Sequence, residues 1–451
     1  MRTMRAAILS MSPAAVRWIT LAVRLIVAAV FIFSGFVKAV DPWGTLYKTD
    51  DYLEAMHLHV WPNLELVGVF FLCMLEFCMG VMLALGCFRR SVAWIFAAVM
   101  AFMLPLSLWI AITDPVADCG CFGDAYVISN WATFWKNVAL CIGVGWLLGR
   151  NRMCRWTVTP ALQWIALLAT VAYIGLVAII GYTYQPLVDF RPYKTGTDIV
   201  DLSAPSGDGP RMVFVYEKDG VAREFSEDDT LPDEADGWRF VDRRELPASS
   251  PAPEATAEAK DFRIWDGDED VTEDVISRRG GEILLMMPRL SDVSIATSWK
   301  INSLYTWARR NGMDMMAVVA GSKADIDNWV DLSMASYPIY TADDTAIKEV
   351  VRGNPSVVYL HDGKIGWKST LAAMDVDDFM APGTSGDPMS FQTDNARMLF
   401  NFSMVYAAVI ALLIVLSFSP LLKDLIWGRR GARQPEEIAP STRDDKAPRA
   451  E

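Results

Sequence analysis

Long apolar runs alternate with polar segments along the chain, and the length of the runs predicts membrane-spanning helices. Such a helix needs about 20 mostly uncharged residues. Six runs meet this requirement, near residues 18–39, 64–86, 91–112, 132–149, 162–183 and 398–422. The first is too long for the apolar core of a signal peptide, and no small-residue cleavage site follows it, so we interpret it as an uncleaved span. The pattern predicts a polytopic α-helical membrane bundle.

The polar segment between the fifth and sixth runs changes its pattern twice. Residues 184–246 are acidic, and "RMVFVYEKDGVAREF" within them predicts two short strands around a turn, so we expect a β-rich segment. Residues 247–262, with "PASSPAPEATAEAK", have the composition of a linker. From about 280 to 372, strand-like runs alternate with helical patterns in the order β-α-β-α-β-α-β-β. This order predicts an α/β domain with a partly parallel sheet.

Composition and charge divide the chain into an apolar part and an acidic part. The chain has 451 residues and is 53% hydrophobic, yet its formal net charge is −13. A single soluble domain rarely combines these values. The acidic balance, without a basic stripe, argues against nucleic acid as a partner. The expected surroundings are a lipid bilayer and other proteins.

Basic residues collect at one end of the spans, which gives an expected orientation. They occur in residues 1–17, in "CFRR", in "GRNRMCR" and in "WGRRGAR", whereas the 113–131 loop has no Lys or Arg. Because Lys and Arg accumulate on the cytoplasmic side, we expect both termini there, including the tail 423–451. The segments expected on the other side are 41–62, 113–131 and 184–397. A bacterial inner membrane with a periplasmic domain is the simplest assignment.

The cysteines suggest one site for thiol chemistry. There are seven, at positions 73, 78, 87, 119, 121, 141 and 154. In the expected topology, Cys119 and Cys121 are the two that lie where disulfides persist. They can pair only with each other, across Gly120. A ring this small is strained, and strained disulfides belong to the labile or catalytic class.

Three readings of this pair remain open. Cys119 and Cys121 are either a redox pair, a structural clip of the loop, or two ligands of a metal site completed by His57 and His59. The neighbouring carboxylates of Asp118 and Asp124 are expected to raise the pKa of the thiols, which counts against the redox reading.

Charged residues inside the first two spans form a second candidate site. Arg24 and Glu76 have nearly the same depth and are expected to pair, and Lys38 shares the helix face of Arg24. This polar face is either a structural ion pair or the lining of a quinone or proton path. Cys73, Cys78 and Cys141 are expected to pack as small apolar residues.

Residues 17–150 resemble the DoxX/MauE-like family of four-helix membrane proteins. The resemblance rests on three stretches, "RLIVAAVFIFSGFVKAVDPWG", "LEFCMGVMLALG" and "DCGCFGDAYVISNWATFWKN". It implies a four-helix domain, here 18–150, with the span 162–183 added to it. It also implies a role in thiol redox or maturation of envelope proteins, since MauE proteins are associated with maturation of a disulfide-rich subunit and DoxX proteins with quinone-linked oxidation.

The resemblance also implies site residues. Cys119 and Cys121 are the implied catalytic pair. A quinone is the possible cofactor, and the residues implied to bind it are Arg24, Lys38, Glu76, Lys136 and Asn137.

Residues 280–372 resemble a thioredoxin-fold domain. The element order fits, and Pro355 in "NPSVVYL" matches the cis-proline of that family. Where the family has Cys-x-x-Cys, this chain reads "MMPRLSDVS", and no cysteine follows Cys154. Thiol–disulfide chemistry in this domain is therefore excluded, and a recognition or scaffold role is expected.

Two functions follow from these observations. The first is a membrane thiol–disulfide or quinone oxidoreductase that supports maturation of periplasmic proteins containing thiols. The alternative is a non-enzymatic membrane scaffold or assembly factor whose acidic periplasmic domain binds partner proteins. A transporter has little support, because no paired broken helices are evident.

Overall fold

The computed structural model describes most of the chain. The described residues are 12–58, 60–116, 119–151, 156–200, 211–218, 221–226, 239–246, 262–277, 279–375, 388 and 394–419. The predicted linker therefore lies outside them except for Phe262, and so do the tail 423–451, Cys154 and Asp118.

Six helices in the described part are long and apolar enough to cross a membrane, which confirms the prediction of a polytopic helical membrane protein. Their bounds are α1 Pro13–Val40, α3 Pro62–Leu85, α4 Arg89–Thr113, α5 Asn130–Arg150, α6 Gln163–Thr183 and α11 Asn395–Phe418. Helix α1 begins five residues earlier than predicted, because Ser12 accepts a hydrogen bond from the Ala15 amide and Pro13 suits the first turn. Helix α3 ends at Gly86, which has the left-handed conformation typical of glycine after a helix.

Glycines bring α1 and α3 into close contact. A Cβ on Gly35 would lie 2.4 Å from the Phe77 amide nitrogen, and one on Gly80 would lie 2.7 Å from the Ile32 amide nitrogen. Small residues permit this approach of two backbones within a membrane. Helix α11 packs against α6 through stacked Tyr173 and Tyr406 rings, whose centroids are 4.3 Å apart.

A short helix, α2 (Pro42–Ala55), follows α1 in the segment 41–62, for which the sequence pattern predicted no element. It begins at Asp41, whose carboxylate accepts a hydrogen bond from the Gly44 amide at 2.9 Å. Trp43 of α2 stacks on Tyr182 at the end of α6, with ring centroids 4.7 Å apart. This helix therefore lies over one end of the bundle.

The region between α6 and α11 contains a seven-stranded mixed sheet with helices on its faces. The strands stand in the order β10-β9-β6-β7-β8-β4-β5, where β6, β7 and β8 are parallel and β9 and β10 antiparallel. The bounds are β4 Trp265–Asp266, β5 Glu269–Asp270, α7 Thr272–Val275, β6 Gly281–Met287, α8 Ser298–Arg310, β7 Asp314–Val319, α9 Lys323–Ser333, β8 Ile339–Thr341, α10 Asp344–Val350, β9 Ser356–His361 and β10 Lys364–Thr370. The predicted order of elements over 280–372 is present, and the Asn354–Pro355 bond is cis. We call this unit the α/β domain.

The α/β domain includes more of the chain than the sequence pattern indicated. Tyr193 and Ile199, just after α6, lie in the same buried cluster as Phe262 and Leu360. Residues from both sides of the predicted linker therefore complete the face of the sheet covered by α10. On the other face, Leu304 and Trp307 of α8 are buried, whereas Trp299 is 52% exposed.

A separate three-stranded antiparallel sheet lies between these segments, in the order β2-β1-β3. Its strands are β1 Arg211–Lys218, β2 Val221–Ser226 and β3 Arg239–Leu246. Strands β1 and β2 form the predicted hairpin, with Lys218 paired to Val221 across the turn.

Candidate active site

The two loop cysteines lie side by side between α4 and α5. Cys119 Sγ and Cys121 Sγ are 3.1 Å apart, and one thiol donates a hydrogen bond to the other. Gly120 between them has a φ of +61°, a conformation that glycine adopts without strain. The Tyr52 hydroxyl of α2 hydrogen-bonds the Cys119 thiol. The loop we call the thiol loop, residues 119–125, thus brings the two thiol groups into contact.

Buried polar side chains of the first two spans form hydrogen bonds with the backbone of the thiol loop. The carbonyl oxygen of Cys121 accepts a hydrogen bond from Lys38 Nζ at 2.8 Å and lies 2.7 Å from Ser34 Oγ. Lys38 Nζ also forms a 2.8 Å ion pair with Glu76 Oε2 and donates to Ser34 Oγ at 2.6 Å. The three protons of the ammonium group are therefore all used. The ion pair and the loop carbonyl form one connected network.

The surroundings of the thiols separate their pKa values. The hydrogen bond from Cys119 lowers the pKa of the Cys121 thiol, and the ammonium groups of Lys136 and Lys38 lower it further, against burial and the Glu76 carboxylate. The same hydrogen bond and burial raise the pKa of Cys119. The pair titrates as a unit, and the neighbouring ammonium groups favour its negative charge on Cys121 with the proton on Cys119.

The expectation that nearby carboxylates raise both thiol pKa values is thus wrong for Cys121. Proximity in sequence suggested that Asp124 acts on the thiols, but its carboxylate forms an ion pair with Arg352. Asp118 lies outside the described residues. The ammonium groups of Lys38 on α1 and Lys136 on α5 lower the pKa of Cys121, and each has a larger effect than the Glu76 carboxylate.

The structure places Lys136 and Asn137 on α5, next to each other in sequence but in different surroundings. Lys136 Nζ lies 4.3 Å from the centroid of the Phe122 ring, in a cation–π contact beside the thiols. Asn137 is buried on the face of α5 that also carries Thr133 and Leu140. Lys136 therefore belongs to the thiol site, whereas Asn137 belongs to the helix interface.

The structure does not pair Arg24 with Glu76. Glu76 is bound by Lys38, and Arg24 Nη2 donates to the Ala84 carbonyl at 3.4 Å. The crossing of α1 and α3 sets this register: Gly35 lies against Phe77 and Gly80 against Ile32, so Arg24 lies level with Ala84, 8 residues from Glu76 on α3. That offset corresponds to about 12 Å along the helix.

The five residues implied to bind a quinone therefore do not converge. Arg24 and Lys38 are 14 residues apart on α1, which is about 21 Å along its axis. Asn137 is buried in the helix interface, and the donors of Lys38 are saturated by protein atoms. These residues do not fit a quinone as a single site, and we derive no step through one.

The α/β domain supplies an arginine to the thiol loop, which sequence reasoning missed. Arg352, between α10 and the cis-proline, forms ion pairs with Asp41 at 2.9 Å and with Asp124 of the thiol loop. The guanidinium also lies 5.5 Å from the centroid of the Tyr47 ring. The local sequence "VRGNP" carries no sign of this role, because its partners are far away in the chain.

A second arginine crosses the same interface at a different place. Arg289, in the β6–α8 loop, forms a 2.7 Å ion pair with Asp50 of α2. Its carbonyl accepts a hydrogen bond from the Asn354 side chain at 2.6 Å. The α/β domain thus contacts the membrane domain with the β6–α8 loop and the loop of the cis-proline.

The described residues contain no group of three or more His, Cys, Asp or Glu that could hold a metal ion. Of the histidines considered as ligands with the thiol pair, His57 lies in the turn after α2, and His59 is outside the described residues.

Comparison with known families adds to this geometry. Residues 16–150 match the family model described as "Methylamine utilisation protein MauE". This segment of the membrane domain is MauE-like. Residues 210–246, which include the three-stranded sheet, match a domain of unknown function, DUF8463. No curated protein and no solved structure matches the chain. The MauE-like segment contains every residue of the thiol site except Arg352.

Proposed function

We propose that this MauE-like membrane protein exchanges thiols and disulfides with envelope proteins through Cys119 and Cys121, in support of their maturation. The observation that carries the proposal is the dithiol itself. Its sulfur atoms are 3.1 Å apart, one thiol pKa is lowered and the other raised, and the loop lies outside the membrane-spanning helices. A thiolate next to a protonated thiol is the arrangement that thiol–disulfide exchange requires.

The exchange is written as follows. The Cys121 thiolate attacks a disulfide sulfur of the partner, which forms a mixed disulfide and releases the other partner sulfur as a thiolate. The Cys119 thiol then passes its proton to that thiolate and attacks Cys121 Sγ, which breaks the bond between Cys121 and the partner and releases the second partner sulfur as a thiolate. This thiolate takes a proton from water, so the partner leaves as a dithiol and Cys119–Cys121 becomes a disulfide. Two electrons pass to the partner, and the reverse sequence oxidises a partner dithiol.

Lys38 and Ser34 fix the loop during this exchange. Their hydrogen bonds to the Cys121 carbonyl hold the backbone of the attacking residue, while the Cys121 side chain stays directed at Cys119. Glu76 keeps the Lys38 ammonium in place. Mechanistically, the buried ion pair is a support for the thiol loop.

The proposed location is a bacterial inner membrane with the thiol loop and the α/β domain in the periplasm. The charge bias of the chain supports this orientation. The contact between Arg352 and Asp124 supports it as well, because it requires that loop and domain share one side. We also assign the α/β domain a thioredoxin-like fold, which its strand order and cis-proline support.

Trapping of mixed disulfides tests the proposal. In Cys119→Ala, the intermediate on Cys121 has no resolving thiol, so we expect disulfide-linked adducts that disappear under reducing electrophoresis. Cys121→Ala removes the attacking thiolate and should give none. Cys141→Ala, which changes a thiol within α5, is the matched control and should behave as wild type. Absence of adducts in Cys119→Ala, together with an unchanging thiol state in wild type, would overturn the proposal.

A scaffold role is the second candidate, favoured by an exposed apolar surface on the α/β domain. Trp299, Leu332 and Met334 are 52%, 59% and 79% exposed. Asn302 of α8 donates to the Ser333 carbonyl at 2.9 Å, which joins the two helices that carry them. Under this alternative, Trp299→Glu with Met334→Glu abolishes the protein's complexes, whereas the two cysteine variants leave them intact.

A further inference from the structure

Arg352 joins three separate parts of the chain. Its Nε donates to Asp41 at 2.9 Å, its Nη1 to the Lys348 carbonyl at 2.5 Å, and its Nη2 to Asp124. Although burial favours the neutral form, the carboxylates of Asp41 and Asp124 raise the pKa of Arg352, so it stays charged. The guanidinium is therefore a fixed cation between the end of α1 and the thiol loop.

The backbone of Arg352 is anchored as firmly as its side chain. Gln185, two residues after α6, donates to the Arg352 carbonyl at 2.6 Å and accepts from the Arg352 amide at 3.1 Å. Since Lys348 and Arg352 both belong to the α/β domain, the position of the cation depends on that domain being docked. A free side chain on a surface would not hold such a position.

Asp124 belongs to the same tight loop as the two thiols. It lies 3 residues after Cys121, so the two Cα atoms are at most about 10 Å apart. The turn is tighter still, because the Gly123 amide donates to the Gly120 carbonyl at 3.1 Å. A carboxylate without a cation at this distance disfavours a neighbouring thiolate.

We propose that Arg352 is a positioning residue for the thiol pair. By holding Asp124 in an ion pair, the thiol-free α/β domain keeps the loop carboxylate from opposing the Cys121 thiolate, so the thiols are most reactive while the two domains are docked. The inference rests on the proposed thiol exchange and assigns a regulatory contact to the same site.

The charged and titratable groups that face the thiols come from four helices of the membrane domain. They are Lys38 of α1, Lys48 and Tyr52 of α2, Glu76 of α3 and Lys136 of α5. Arg352 reaches the loop at Asp124 instead, so it acts on the sulfur atoms through that carboxylate.

The pH profile of Cys121 alkylation tests this inference. Full-length protein in nanodiscs is treated with iodoacetamide over a range of pH, and fragment mass spectrometry separates Cys119 from Cys121. In Arg352→Gln the unmasked Asp124 should move the midpoint upwards by about one pH unit, which is about tenfold slower alkylation below both midpoints. Arg289→Gln removes an ion pair from the same interface but not from the loop, and its profile should be that of wild type.

Two double variants separate charge from loop shape. Arg352→Gln with Asp124→Asn should return the midpoint to the wild-type value, whereas Arg352→Gln with Asp41→Asn should keep the shift. Equal shifts in the Arg352 and Arg289 variants, or no rescue by Asp124→Asn, would overturn the inference. Both double variants contain Arg352→Gln. Any loss of folding caused by that substitution is therefore common to both, and the comparison between them still tests the role of Asp124.

Failure of this inference is distinguishable from failure of the proposed function. If Cys121 in the Arg352→Gln variant has the wild-type alkylation midpoint while Cys119→Ala still traps partners, the exchange function is retained and the proposed role of Arg352 is rejected. If Cys119→Ala traps nothing but the midpoint still moves, the electrostatic contact stands and the exchange function falls.

Discussion

At the scale of single residues, the reactivity of the thiol loop is set by groups distant in the sequence. Cys119 and Cys121 are recognisable from the sequence because they are the two cysteines of a loop without Lys or Arg. The direction of their pKa shifts was not predictable from the sequence. Lys38 and Lys136 belong to two separate helices, and the Asp124 carboxylate is paired with Arg352. Electrostatic interactions depend on the distance between charges in space, and separation along the sequence does not determine that distance.

The hydrogen bond between the thiols predicts a difference between two variants of Cys119. Cys119→Ala removes the donor, so the pKa of Cys121 should rise and the midpoint of its alkylation should move to higher pH. Cys119→Ser retains a hydroxyl donor and should keep the midpoint low. The measurement is the rate of Cys121 alkylation from pH 5 to 10. If Ala and Ser variants have the same midpoint, the bond does not set the pKa.

The buried ion pair predicts a cost for removing one partner. Lys38→Met leaves the Glu76 carboxylate buried without its cation, and the side chains are 7% and 8% exposed. We expect a loss of about 3–5 kcal/mol in the free energy of unfolding. Lys38→Met with Glu76→Leu removes both charges and should regain most of it. SDS-induced unfolding in mixed micelles measures both, and a single variant as stable as wild type contradicts the role of the pair.

At the scale of elements, the membrane helices were predictable and the helix over them was not. The spans have long uninterrupted apolar runs, which depend only on local sequence. Helix α2 has a polar sequence, "PWGTLYKTDDYLEA", and one buried residue, Pro42, so no apolar stripe marks it. Its place is determined by contacts such as Trp43 on Tyr182. The site residue it carries, Tyr52, was missed for the same reason.

The close crossing of α1 and α3 predicts unequal effects of glycine substitution. Gly35→Ala and Gly80→Ala each place a Cβ within 3 Å of the backbone of the other helix, so the helices must separate. We expect a loss of about 1–3 kcal/mol for each, as for other overpacked positions. Separation should also disturb the contact of 2.8 Å between Ser34 Oγ of α1 and Glu76 Oε2 of α3, and so slow Cys121 alkylation.

Gly145→Ala on α5 is the matched control for this prediction. A Cβ there meets no atom within 4 Å, so stability should not fall and can rise slightly through helix propensity. SDS unfolding of the three variants gives the comparison. A Gly35→Ala variant no less stable than Gly145→Ala would contradict the close crossing.

At the scale of the whole molecule, a domain without thiols is docked on a domain that has them. The two loops of the α/β domain that meet the membrane domain carry Arg289 and Arg352, and the latter contacts Asp41 across 311 positions of sequence. Contacts this distant leave no pattern in a single sequence, which is why the α/β domain was expected to bind other proteins rather than its own chain. The α/β domain contributes the charge of Arg352 to the site and contributes no thiol.

The docked arrangement predicts the topology of the full chain. The six spans among the described residues put both ends of the bundle on one side, and the Arg352–Asp124 contact puts the thiol loop and the α/β domain together on the other. With the basic segments in the cytoplasm, Asn328→Cys in the exposed part of α9 should react with a membrane-impermeant maleimide in intact spheroplasts. Ala14→Cys, exposed near the start of α1, should react only after permeabilisation, and mass spectrometry of the labelled peptides identifies each site. The opposite order of labelling would place the thiol pair in the reducing cytoplasm, where a persistent disulfide is disfavoured, and would refute exchange with envelope proteins.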